Sequence, residues 1–146
     1  METVQPLLLF ENVRIDAELP SVTVGPVSTQ DLVKWAAATS DYNPIHYDKD
    51  QAIAQGLPSV VTHGSFKFEL LAAMITHWIG PQGQLKRLAC RYRGIDVAGD
   101  TLTAAGRVTG KTEHNRSIDC EVWVMNQRGE KTVTGEATVM LQRDSS

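Results

Sequence analysis

The chain has 146 residues, 42% of them hydrophobic and 21% charged, with a formal charge of -3. That length holds one domain with a sizeable core and leaves no room for a second of ordinary size. The acidic balance excludes a protein built to neutralise a nucleic-acid backbone, which needs a clustered excess of Lys and Arg.

From the N-terminus, METVQPLLLFENVRID lacks a basic n-region, and its apolar run PLLLF is too short for a secretory leader. A soluble, cytoplasmic protein is expected. SVTVGPV (21–27) predicts a short strand closed by Gly25-Pro26. Ser28, with Asp31 three residues on, is a variant capping box opening a helix over DLVKWAAATS, 31–40. Next comes SDYNPIHYD, 40–48, in which Pro44 fixes its own φ and drives Asn43 out of the α region. The chain must turn there. Asp48 with Gln51 caps a short helix, DKDQAIAQ, and Gly56 supplies a left-handed stop.

After the loop LPSVVTHGS, a main helix is predicted over 65–79. Phe66, Phe68, Leu70, Leu71, Met74, Ile75, Trp78 and Ile79 cover most of its circumference, so it must be surrounded by other structure. Lys67, Glu69 and His77 interrupt it, and it falls short of the roughly 20 apolar residues of a membrane span. Gly80-Pro81 ends it.

From there the period becomes two. Leu88, Cys90 and Tyr92 share one face and Arg87, Arg91 and Arg93 the other. A turn at Gly99-Asp100 leads to Leu102, Ala104, Gly106 and Val108, and then to Ile118, Cys120, Val122 and Val124. A turn at NQRG precedes Val133, Gly135, Ala137, Val139 and Leu141. Helices first and an antiparallel meander after define an α+β order in a single domain, 1–146. A sheet curled around the buried helix, as in a hot-dog fold, and helices lying flat on an open sheet both fit this periodicity. Cys90 and Cys120 are too few and too isolated for a disulfide framework or a zinc site and read as reduced core thiols.

Two places carry chemistry. Asp41 and His46 flank the Asn-Pro turn five positions apart, a spacing that can bring an acid and an imidazole into one small volume. It equally suits a turn-capping acid beside a satisfied histidine, since Asn43 stiffens such turns in either case. His63-Gly64 precedes the main helix, whose N-terminal N–H groups favour developing negative charge and where glycine permits close approach. A plain loop-to-helix junction would look the same. Arg87, Arg91 and Arg93 fit either a phosphate or acidic partner or a solvated basic face.

The runs DYNPIHYD, AIAQG, THG and RYRGIDVAGDTL together resemble the MaoC-like, (R)-specific enoyl-CoA hydratase branch of the hot-dog superfamily, over roughly residues 25 to 142. Small acyl-thioester dehydratase subunits look similar in length and layout. The resemblance implies a hot-dog fold and a catalytic dyad of Asp41 and His46, with the Gly64 N–H as oxyanion site. Asn43, His63, Ser65, Glu69 and Arg91 are the substrate-contacting candidates around them. The implied reaction is reversible hydration of a trans-2-enoyl thioester of CoA or an acyl carrier protein to the (3R)-hydroxyacyl product, with no metal and no other cofactor. Two positions depart from the family pattern: Ser65 stands where many relatives have Met, and Glu69 where a small hydroxyl residue is common. A carboxylate on the central helix keeps a hot-dog thioesterase as the alternative. A homodimer or an oligomer of dimers is expected, because about five strands leave an edge and part of the helix uncovered; a heterodimer with a related chain, as one subunit of a dehydratase, is the variant.

Overall fold

In the computed structural model, which describes residues 7–144, the two-residue alternation becomes four long strands. They are β2 (Gln84–Tyr92), β3 (Leu102–Thr112), β4 (Ser117–Asn126) and β5 (Lys131–Met140). A short β1 (Val22–Val24) completes a five-stranded antiparallel sheet in the order β1-β3-β4-β5-β2. The expectation of a leaderless start rests on residues 1–16, of which 1–6 lie outside the described ones. No helix among the described residues is long and apolar enough to cross a membrane.

The register stacks the predicted inward residues. Ala104, Gly106 and Val108 of β3 face Val124, Val122 and Cys120 of β4, which in turn face Val133, Gly135 and Ala137 of β5. This face closes on α3 (Gly64–Ile79), whose Leu71, Met74, Ile75 and Ile79 are buried. Each such side chain contributes about 1.5–3 kcal/mol by leaving water. The sheet thus curls around α3 in a hot-dog arrangement. Ahead of it, α1 (Thr29–Thr39) opens on the expected capping box, with the Asp31 N–H donating to Ser28 Oγ and the Ser28 N–H to Asp31 Oδ2. The short α2 (Lys49–Ala54) begins with the Asp50 and Gln51 N–H groups donating to Asp48 Oδ1.

Three details differ from the sequence reading. The helix is not covered all round: Ser65, Glu69, Ala73, Thr76 and His77 form an exposed stripe along α3. The strands are not one simple meander, since β2 pairs with β5 and not with its successor β3. The connection 93–101 therefore crosses from one edge of the sheet to the far side, passing the start of α3 on the way. Finally, Tyr92 sits on the inward alternation of β2 yet is 54% exposed, because β2 is an edge strand and the inner face is open at its end.

Candidate active site

The bend after α1 is built by local chemistry. Ser40 takes a left-handed conformation and ends the helix, and the Asp41 N–H still reaches Ala36 O. Asn43 Oδ1 accepts from the Ile45 N–H, and Pro44 opens a single 3-10 turn, Pro44–His46. That turn carries His46 inward, where it is buried, while the Asp41 side chain stays about half exposed, at 47%. His46 Nδ1 lies 2.7 Å from Val61 O. A carbonyl only accepts, so Nδ1 carries the proton and the lone pair of a neutral His46 is on Nε2. Nε2 is 3.8 Å from Asp41 Oδ2, near but not directly bonded.

His63 lies beneath this pair. Its ring stacks on that of His46 with centroids 3.6 Å apart and planes 16° apart. Its Nε2 is 3.3 Å from the main-chain oxygen of Asp41. His63 is 1% exposed and its Nδ1 has no hydrogen-bond partner. Burial first, and the neighbouring His46 second, hold its pKa below the usual imidazole value. His63 is thus enclosed behind Asp41 and His46 and does not reach the surface.

Gly64 begins α3, and its N–H is one of those a helix start leaves without an intrahelical acceptor. A Cβ there would lie 2.9 Å from Cζ of Tyr92, so the aromatic ring packs directly on the glycine. Although the residue as a whole is 54% exposed, partial burial first, and the neighbouring Cys90 second, push the Tyr92 hydroxyl up to about 12, keeping it protonated.

A buried ion pair fixes the helix start. Lys67 Nζ donates to Asp96 Oδ2 at 3.1 Å and to Gly94 O at 3.2 Å, with the two residues 2% and 0% exposed. Thr132 Oγ1 and Asn126 Nδ2 donate to the remaining valences of the Asp96 carboxylate. The Asp96 main-chain oxygen accepts from the Thr62 N–H at 2.8 Å, beside both Val61 and His63. The crossing loop is thereby tied to the same short segment that orients His46.

Donor atoms of Asp41, His46 and His63 all lie within 4.8 Å of one another. Each ring already has one nitrogen turned toward a backbone carbonyl, His46 Nδ1 toward Val61 O and His63 Nε2 toward Asp41 O.

The other expected contacts are dispersed. Ser65 Oγ accepts from Trp35 Nε1 at 2.8 Å, and Trp35 packs edge-on against Phe66. Asn43 is exposed and spends its side chain on the turn. Glu69 lies on the exposed stripe of α3. Arg91, with Arg87 and Arg93, lines a depression of about 500 Å³ on the outer face of the sheet, away from α3. Sequence reasoning missed Tyr92 as a wall of the site, the Val61 carbonyl and the Lys67–Asp96 pair. Only Tyr92 left a signal, as the last inward position of β2. An open depression of about 580 Å³ lies between β1, α1 and the first turn of α3, lined by Val24, Val27, Trp35, Ala38 and Phe66 together with the charged Asp31 and Lys34.

A family model described as "MaoC like domain" matches residues 12–140. The chain is similar to the "3-oxo-4,17-pregnadiene-20-carboxyl-CoA hydratase beta subunit" of Mycobacterium tuberculosis, 33% identical over 78 residues, or 53% of this chain and 60% of that one. It therefore spans less than two thirds of that relative's length. It is also similar to an "(R)-specific enoyl-CoA hydratase" of Rhodospirillum rubrum, 26% identical over 79% of this chain and 80% of that one. Among solved structures it is similar to an R-hydratase of Pseudomonas aeruginosa, with TM-score 0.84 and 25% identity, covering 93% of this chain and 86% of that one.

Proposed function

Because the chain belongs to the MaoC-like domain family, we propose that it is a hydro-lyase adding water reversibly across trans-2-enoyl thioesters, of CoA or of an acyl carrier protein, to give (3R)-hydroxyacyl thioesters. The observation that carries this reading is the 3.8 Å approach of His46 Nε2 to Asp41 Oδ2, with His46 Nδ1–H fixed on Val61 O. Neutral His46 and ionised Asp41 then offer two acceptors close enough for one water to donate to both.

In the hydration direction that water attacks C3. As its oxygen bonds to C3, a proton passes to the dyad and the alkene electrons move toward the thioester carbonyl. The carbonyl oxygen gathers enolate charge against the N–H groups at the start of α3, with Gly64 allowing close approach. The dyad then returns a proton to C2, acting as a unit that gives and takes one proton. The apolar part of the depression beside Trp35, formed by Val24, Val27, Ala38 and Phe66, suits the acyl tail. A cytoplasmic setting belongs to the same reading.

Purified protein incubated with crotonyl-CoA and longer enoyl-CoAs, followed by both enone absorbance and free thiol, tests the proposal. Enone loss without thiol release is the expected result. Thiol release would make the chain a thioesterase, and inertness toward every enoyl thioester would refute the hydratase reading.

The functional unit is proposed to be at least a dimer. The free edge of β2, the exposed Tyr92 and Ile95 beyond it, and the uncovered stripe of α3 support this, since a second chain paired along β2 would cover that edge. The beta-subunit name of the mycobacterial relative supports a heteromer as the variant.

A further inference from the structure

His63 takes no part in the water addition described above, yet it touches both members of the dyad. Its ring lies flat against that of His46 at 3.6 Å, and its Nε2 reaches the main-chain oxygen of Asp41. The surrounding backbone is held tightly: Val61 N–H donates to Ile45 O, and Thr62 N–H donates to Asp96 O. A side chain that is 1% exposed, on a backbone so pinned, has little freedom to do anything but hold its neighbours.

We infer that His63 is a positioning residue for the dyad, a ring that stays neutral, fixes the plane of the His46 imidazole by stacking, and secures Asp41 through its main-chain carbonyl. The inference rests on the reading of Asp41 and His46 as the reacting pair.

Neutrality follows from the geometry. The Asp41 carbonyl can only accept, so the proton of a neutral His63 is on Nε2. A second proton would go to Nδ1, which is buried and faces no acceptor. Such a proton would be an unsatisfied buried donor on a charged ring. The titratable groups facing His63 are His46 and Asp41, both from the bend. Lys67, one turn along α3, and Asp96, on the crossing loop, are spent on each other. Asp41 would favour a charged His63, but burial and His46 outweigh it. The consequence for catalysis is a division of labour. Two stacked imidazoles at ordinary pKa values would compete for one proton. With His63 held neutral, the proton belongs to the Asp41–His46 pair alone, and the rigid face of His63 sets where His46 Nε2 points.

Variants of His63 probe the two contacts, and the first two carry the kinetic test. His63→Ala removes both, His63→Phe keeps a planar ring against His46, and His63→Gln keeps an N–H within reach of the Asp41 carbonyl. In the enoyl-CoA assay, His63→Ala should lower kcat by about 30- to 100-fold with KM within about threefold, the signature of misplaced catalytic groups rather than lost substrate contact. His63→Phe should recover to within about tenfold of the parent kcat, and it serves in place of His63→Ala should that variant not fold. Nitrogen-15 and proton NMR of the free protein, which needs no substrate, reads the remainder. The His63 resonances should titrate only below the ordinary imidazole range, and His46 should hold a single Nδ1–H tautomer that becomes mixed in His63→Ala. A His63 that titrates through the ordinary imidazole range would overturn the inference. So would a folded His63→Ala protein with the parent's kcat and an unchanged His46 tautomer. Failure of the parent to hydrate any enoyl thioester would instead sink the hydratase reading and leave the NMR result to judge His63.

Discussion

Substituting Asp96 by Asn probes the device that ties the crossing loop to the start of α3. The carboxylate accepts from three side chains, Lys67, Asn126 and Thr132, and both members of the ion pair are shut off from solvent. Asn preserves the volume but leaves the Lys67 ammonium buried against the Gly94 carbonyl and a neutral amide. Removing one partner of a buried pair costs about 3–5 kcal/mol, because the remaining charge has lost its counter-ion. For a chain of this length, each kcal/mol lowers Tm by roughly 2–4 °C, so a fall of about 6–20 °C is expected. Lys67→Met should also destabilise, by stranding the carboxylate. The double variant, Lys67→Met with Asp96→Asn, should cost at least about 2 kcal/mol less than the sum of the single changes, since it removes both charges together. Urea unfolding of the four proteins at pH 7 measures the cycle. An Asp96→Asn protein destabilised by less than about 1 kcal/mol, or strict additivity across the cycle, would refute the claim that this pair anchors the loop.

Three further outcomes follow from other parts of the molecule. Gly64→Ala puts a methyl 2.9 Å from the Tyr92 ring, which is 54% exposed and can swing aside; the variant should fold yet lose about 10²-fold in turnover, and full activity would remove Gly64 from the site. Burial alone would raise the pKa of Asp100, but hydrogen bonds from Arg128, Gln127 and the Val97 N–H outweigh it and bring it below the usual carboxylate value. Its stabilisation is therefore present above the unfolded pKa of about 3.9 and lost as pH falls through the lower native value. Asp100→Asn should be less stable at neutral pH and show a smaller loss between about pH 5 and 2 in urea titrations, whereas parallel curves would contradict this. Light scattering coupled to size exclusion should give a dimer or larger at micromolar concentration, and a stable, active monomer would sink the dimer and any pocket shared between chains.

What could be read from the sequence was local. Capping chemistry at Ser28 and Asp48 placed two helix starts, and strict alternation named the inward residues of β3, β4 and β5, because each signal lies within a few residues of its effect. Asp41 and His46 were legible for the same reason: Pro44 dictates a turn, and the turn brings them together. The partners that set their chemistry were not legible. Val61, whose carbonyl fixes the His46 tautomer, is 15 residues away, and Asp96 is 29 residues from Lys67. Lys67 read as an interruption of an apolar helix because its counter-ion is supplied only when 93–101 crosses the sheet. That crossing depends on β2 pairing with β5, a non-local choice that no periodicity encodes. Glu69 shows the converse. Its place on the helix could be counted, but its exposure is set by what packs on each face, and this chain leaves that stripe open.

Hydration of crotonyl-CoA by the parent protein beside Asp41→Asn and His46→Gln, with Tm recorded for each, tests the central claim most directly. Both substitutions are nearly isosteric, and Asp41 is half exposed, so folding should change little. Turnover should fall by about two to four orders of magnitude in each variant, the weight of general acid–base catalysis, because one side chain alone cannot both hold and deprotonate the attacking water. A folded variant of either residue that hydrates crotonyl-CoA at close to the parent rate would contradict the assignment of the dyad.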